Sequence, residues 1–162
     1  MNEQNFISYG RQWISVEDEQ AVLNVLRSDY LTQGPAVQDF EQAICDYTGA
    51  KYCVAVSSAT AGLHIALAAL DLPQGSVGIT SPNTFLASSN ALVYNGIYPQ
   101  FADICAQTYN LDPVAAAAQV TPNTKVIVPV HFAGRPVDMQ AIADLARQHK
   151  LAVVEDAAHA IG

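Results

Sequence analysis

The chain has 162 residues, enough for one domain of ordinary size with a substantial core. About half of it is apolar (51%) and only 14% is charged, which excludes a disordered or collagen-like chain. A formal net charge of -8, with 7 scattered basic residues, argues against a nucleic-acid binder and leaves no polybasic patch for an anionic membrane.

Residues 1–13 are polar and mixed, without the basic-then-apolar pattern of a leader. No apolar run reaches the ~20 residues of a membrane span, since His64 and Asp71 break the stretch 61–72. Cys45, Cys53 and Cys105 are odd in number and lack C-x-x-C spacing, so neither a metal site nor a disulfide framework is expected. Free thiols suit a cytoplasmic protein.

In chain order, Tyr9-Gly10-Arg11-Gln12 precedes a helix start at Ser15-Val16-Glu17-Asp18. Ser15 is expected to cap that helix, with Ala21, Val22, Val25 and Leu26 as its apolar stripe. A turn at residues 31–35 leads to Pro35, suited to the first position of a second helix. Val37, Phe40, Ala43, Ile44 and Tyr47 mark the expected buried face of that helix, and Gly49 its stop. The two helices read as an arm, residues 1–50, packed on a main sheet.

From residue 51 strands and helices alternate. Strands are expected at 52–56, 78–80, 98–103, 125–130 and 151–155. Helices are expected at 60–70, 85–94 and 139–150, with a short one opened by Asp112-Pro113. That rhythm means βαβ units, hence an α/β fold with a mainly parallel, doubly wound sheet.

Three stretches carry candidate chemistry. Ser57-Ser58-Ala59-Thr60-Ala61-Gly62 comes after a strand and opens a helix, where free amides and the helix dipole favour an anion such as phosphate. An ordinary Ser/Thr cap is the alternative, and neither a Walker loop nor a G-x-G-x-x-G fingerprint is present. Thr80 to Phe85 is again a strand end entering a helix; Phe85 either stacks on a flat ring or packs in the core. In residues 129–138, His131 ends a strand and Gly134-Arg135-Pro136 forces a turn. His131 is either a hydrogen-bonded structural residue or a base, and Arg135 either a loop charge or a ligand contact.

The final ten residues turn from an apolar strand to Glu155-Asp156-Ala157-Ala158-His159. Ligands of open α/β sheets sit beyond the carboxyl ends of the strands, so Asp156 stands where a buried acid meets a ligand. Its alternative role is to cap the next segment of chain.

In combination these stretches resemble the fold-type-I enzymes that use pyridoxal 5'-phosphate (PLP), and more narrowly the DegT-type aminotransferases acting on nucleotide sugars. SSATAGLHIAL at 57–67, SPNTFLASSNA at 81–91, FADICAQTYNLDP at 101–113, PVHFAGRPVDM at 129–139 and EDAAHAIG at 155–162 carry the resemblance, with the Leu-Thr-x-Gly-Pro turn at 31–35. It implies a three-layer α/β/α large domain, of which residues 51–162 form the N-terminal part.

The resemblance also implies roles. Asp156 pairs with the pyridine nitrogen of PLP, Ala59 and Thr60 hold its phosphate, and Phe85 stacks on the ring. Ala158 packs behind the ring and His159 approaches the phenolic oxygen. Thr32, Gly34, His131 and Arg135 belong to loops that shape the sugar site. The family's Schiff-base lysine has no counterpart, since Lys51, Lys125 and Lys150 match other positions. No catalytic residue is therefore assigned, and the chain is expected to be the N-terminal piece of a protein more than twice as long, inactive by itself.

The intact protein is expected to transfer an amino group from an amino acid, glutamate first, to a nucleotide-linked 4-keto sugar. Residues 7–12 with SPNTFLAS and HFAGRPVDM look most like the branch that makes the UDP-linked 4-amino precursor of pseudaminic acid. Relatives with histidine in place of the lysine are sugar dehydratases, and a catalytically dead fragment is a third possibility. The family also implies a homodimer.

Overall fold

The computed structural model describes residue 10 and residues 12–161. Positions 7–9 and 11 of the opening motif, and Gly162 of the last one, lie outside the described residues. The chain separates into two compact units, Met1–Ala55 and Val56–Gly162.

The first unit holds helices α1, Val16–Leu26, and α2, Pro35–Thr48. Ser15 caps α1 as its sequence demands. Its hydroxyl accepts the amide of Asp18 at 3.2 Å, and the Asp18 carboxylate accepts the amide of Ser15 at 2.8 Å. Pro35 opens α2, and Gly49 ends it in the left-handed region at φ 75°. The faces expected to be buried are not. No residue of either helix is buried, and Val22, Leu26, Phe40 and Tyr47 are exposed. Two helices present apolar stripes but do not by themselves enclose a core.

The strand expected at 52–56 is also absent: this stretch is irregular, with Tyr52 and Val54 exposed. Its alternating pattern supplies a face, but a strand needs a neighbour's backbone groups. One anchor is local, the Ala55 amide donating to Glu41 Oε1 at 2.7 Å.

The second unit is built on four parallel strands, β1 Val77–Thr80, β2 Tyr98–Phe101, β3 Thr124–Val128 and β4 Ala152–Val153. Their spatial order is β2-β1-β3-β4. β2 is an edge strand, and accordingly it tolerates Pro99 and exposes Tyr98 and Phe101. The expected last strand is shorter than its apolar run; beyond Val153 the Val154 amide still donates to the carbonyl of Ile127 at 3.1 Å, and a bridge joins Val130 with Asp156.

Helices cover both faces, which gives the expected three layers. Leu63 and Leu67 of α3, Ala59–Ala68, and Ala91 and Leu92 of α4, Ala87–Tyr94, pack with Val126 and Val128 of β3. Ala116 of α5, Pro113–Ala118, and Ile142 and Leu145 of α6, Met139–His149, pack with Ile79 and Ile127 on the other face. Side chains of a strand alternate between faces, so β3 serves both cores. Asp112 and Asp138 cap α5 and α6, accepting the amides of Val114 (2.9 Å) and Ala141 (3.1 Å). Gly78 of β1 lets α4 approach: a Cβ there would collide with both terminal methyls of Leu92.

The chain leaves β1 toward β2 through a helix on one face and reaches β3 and β4 through helices on the other. The winding therefore reverses between β1 and β3, and the carboxyl ends of those strands are where such a sheet offers a crevice.

Candidate functional site

That crevice holds a pocket of about 120 Å³. Its walls are the start of α3 (Ala59, Thr60), the loop after β1 (Thr84, Phe85), the loop after β3 (Val130, His131, Phe132, Ala133), and the segment after β4 (Asp156, Ala158, His159). Six residues singled out from the sequence as cofactor contacts, Ala59, Thr60, Phe85, Asp156, Ala158 and His159, all line it.

Asp156 is buried and held at both ends of its residue. Its amide donates to the carbonyl of Pro129 at 2.9 Å, and its carbonyl accepts the amide of His131 at 3.0 Å. Its carboxylate Oδ2 takes the hydroxyl of Ser88 at 2.5 Å, while among the described residues Oδ1 has only the longer contact, 3.3 Å, from the amide of Ala158. A carboxylate in a pocket wall with one oxygen lightly used is equipped to accept a hydrogen bond from a cationic N–H.

At the start of α3 the Ser58 hydroxyl takes the Ala61 amide at 3.2 Å, and the Gly62 amide goes to the Ser58 carbonyl at 3.0 Å. The amides of Ala59 and Thr60, ahead of these, find no partner among the described residues. Two free N–H groups at the positive end of a ten-residue helix suit an anion. Phe85 precedes α4 and exposes its ring at the pocket, rather than in the core.

His131 is buried and both ring nitrogens are engaged. Nδ1 accepts the amide of Val137 at 3.0 Å, so the ring proton sits on Nε2, which donates to Glu155 Oε2 at 2.9 Å. It shapes the pocket as a brace between loops, with neither nitrogen free to take a proton from a ligand. Arg135 does not line the pocket; its guanidinium donates to the carbonyl of Gln107 at 3.2 Å. Thr32 and Gly34 belong to the first unit, in the turn that leads into α2. Neither lysine of the second unit, Lys125 or Lys150, lines the pocket.

Three polar residues within the motifs have roles that the sequence did not assign. Ser88 is fully buried against Asp156, and Thr84 Oγ1 lies 2.7 Å from Ser88 Oγ. Asn110, also buried, ties the loop after β2 to the loop after β3. Its amide group donates to the carbonyls of Arg135 (2.9 Å) and Pro136 (3.0 Å), and its oxygen accepts the Phe132 amide (2.9 Å). That loop includes Ala133 in the left-handed region, φ 53°, so its path is enforced by such bonds. The one available signal was position: serine and asparagine beside strand ends of an α/β sheet.

The family model of the DegT/DnrJ/EryC1/StrS aminotransferases matches residues 12–162. Spore coat polysaccharide biosynthesis protein SpsC of Bacillus subtilis is 46% identical over 157 residues, covering 97% of this chain and 40% of SpsC. The structure of Helicobacter pylori PseC, an aminotransferase involved in the biosynthesis of pseudoaminic acid, superposes with a TM-score of 0.87 at 33% identity, over 91% of this chain and 40% of PseC. NtdA from Bacillus subtilis with bound cofactor PMP gives a TM-score of 0.85 at 37% identity, over 92% of this chain and 35% of NtdA. The chain thus spans about 40% of the length of the curated relatives it matches. It belongs to the DegT/DnrJ/EryC1/StrS aminotransferase family.

Proposed function

We propose that the intact protein of this family member is a PLP-dependent aminotransferase acting on a nucleotide-linked 4-keto sugar. The observation that carries the reading is the pairing, in one pocket, of the buried Asp156 carboxylate with the free amides at the start of α3. These are the two chemical requirements of a phosphorylated pyridine, an acceptor for its ring N–H and donors for its phosphate.

The residues fit that group. Ala59 and Thr60 would hold the phosphate through their amides, Asp156 Oδ1 would accept the pyridinium N–H, and the exposed ring of Phe85 would cover one side. Ala158 leaves room where a longer side chain would intrude, and His159 would face the phenolic oxygen. When bound, the cofactor supplies an electron sink for amino transfer. Asp156, itself buried, would keep the ring nitrogen protonated by offering it a fixed negative charge. Thr32, Gly34, His131 and Arg135 are proposed to shape the sugar site, His131 and Arg135 by bracing the loop after β3.

The amino acceptor we favour is a UDP-4-keto-6-deoxy-N-acetylhexosamine, with glutamate as donor. The similarity to PseC supports this choice, and the SpsC name supports cell-surface polysaccharide chemistry more broadly. In the same proposal, residues 1–50 are a helical arm and 51–162 the N-terminal part of the PLP-binding domain. The protein is a cytoplasmic homodimer with small-molecule substrates. Among the described residues no helix is long and apolar enough to cross a membrane, and no cluster of His, Cys, Asp and Glu is suited to a metal ion.

The test is incubation of the intact protein with PLP, glutamate and the UDP-4-keto sugar, then mass spectrometry of the nucleotide sugar. The expected product is the 4-amino sugar. Loss of water from the sugar instead would identify a dehydratase, and an unchanged sugar would remove the proposed acceptor.

A further inference from the structure

Ser88 Oγ is within hydrogen-bonding range of three oxygens, Asp156 Oδ2 at 2.5 Å, Thr84 Oγ1 at 2.7 Å and Phe85 O at 3.3 Å, and has one proton to give. The carboxylate is the nearest and the only charged acceptor, so the proton goes there. Ser88 Oγ then accepts from Thr84, whose own hydroxyl proton has no nearer acceptor. The three groups form a directed chain, Thr84 to Ser88 to Asp156, running from the pocket wall into a site where Ser88 has no exposure to water.

This arrangement constrains Asp156. A carboxylate on a strand end can rotate about its Cβ–Cγ bond and share its oxygens among donors. Here Ser88 captures Oδ2 from the second residue of α4, an element packed in the core. Among the described residues the other oxygen, Oδ1, is left with a single long contact. Neither hydroxyl bonds Oδ1, so their influence on that oxygen passes through the Asp156 carboxylate.

We propose that Ser88, itself oriented by Thr84, is the positioning residue that holds Asp156 with Oδ1 turned to accept the ring N–H of the cofactor. The inference rests on the reading of the pocket as a PLP site and adds to it the residues that aim its acid. Of the two buried hydroxyls of α4, Ser89 donates to the carbonyl of Leu86 at 3.1 Å and Ser88 is the one that reaches the carboxylate.

The experiment titrates the intact apo-protein with PLP, and in parallel with the PLP analogue in which a C–H replaces the ring nitrogen. Wild type, Ser88→Ala, Thr84→Val and Asp156→Asn are compared. Loss of a charge-assisted bond that fixes the acid should weaken PLP binding about tenfold in Ser88→Ala and about threefold in the near-isosteric Thr84→Val. The analogue, which gives Asp156 nothing to accept, should bind wild type and both hydroxyl variants within about a factor of two of one another. Should Ser88→Ala not fold, Thr84→Val carries the same comparison. If PLP binds Ser88→Ala and Thr84→Val as tightly as wild type while Asp156→Asn loses it, the proposal is overturned and the pocket reading stands. Equal weakening of PLP and analogue would show a general packing role and would also overturn it. If Asp156→Asn binds PLP like wild type, the pocket reading falls and the proposal with it.

Discussion

The carbonyl oxygen of His159 lies 2.8 Å from where a Cβ on Gly134 would sit. This contact presses the loop after β3 against the segment after β4, the two walls that frame Asp156. Gly134 also has φ 83°, where a side chain is strained whatever the space. Gly134→Ala should lower stability by about 2 kcal/mol, from the left-handed backbone and the displaced His159 peptide together. Urea unfolding of the intact protein should show a lower midpoint at unchanged slope. An unchanged midpoint would mean that the two segments separate freely.

Gly78 has a similar constraint inside the core. Adding a methyl there drives it into Leu92 and, at 3.1 Å, toward Val126. Gly78→Ala should cost about 1–3 kcal/mol by overpacking, and Leu92→Ala about 2–5 kcal/mol by leaving a cavity. The double variant should lose less than the sum, because the new methyl enters the space vacated by Leu92. Strict additivity would contradict the close approach of α4 to β1.

His131 is read as a brace rather than a base. Removing its Nδ1 leaves the buried amide of Val137 without its acceptor, which costs about 1–3 kcal/mol. His131→Phe should therefore destabilise the protein and speed hydrogen exchange at Val137. Glu155→Gln should change stability little, since residue 155 is half exposed and the amide oxygen still accepts from Nε2. A larger effect from Glu155→Gln than from His131→Phe would reverse this assignment.

The cysteines differ in reactivity. The amide of Gln107, then the side chain and amide of Thr108, favour the Cys105 thiolate and hold its pKa below the ordinary thiol value. Partial burial pushes Cys45 the other way, helped by Cys53 and the carboxylates of Asp46 and Glu41. The thiolate is the reacting form, so a lowered pKa means more of it at a given pH. As pH rises, alkylation by iodoacetamide should turn on at Cys105 before Cys45, read by peptide mass spectrometry. Cys45 reacting at the lower pH would contradict the described surroundings.

Where local chemistry decides, the sequence was readable. Ser15, Asp112 and Asp138 announce helix starts by the oxygen each offers to a free amide, and the β-branched run in 124–128 announces the central strand. What failed is what depends on a distant neighbour. Residues 52–56 alternate like a strand but lie irregular, and the faces of α1 and α2 are amphipathic but unburied. The site shows the same division. Asp156 and the start of α3 were visible as strand-end and helix-start chemistry. Ser88 was not, because 68 residues separate it from the carboxylate it bonds. Nor was the engagement of both His131 nitrogens, one of which depends on residue 155.

In the proposed site Asp156 and the start of α3 together hold PLP. A crystal structure of the intact protein with PLP tests it most directly. The ring nitrogen is expected in hydrogen-bond range of Asp156 Oδ1, and the phosphate on the amides of Ala59 and Thr60. Cofactor density elsewhere, or a ring turned with its nitrogen away from Asp156, would contradict it.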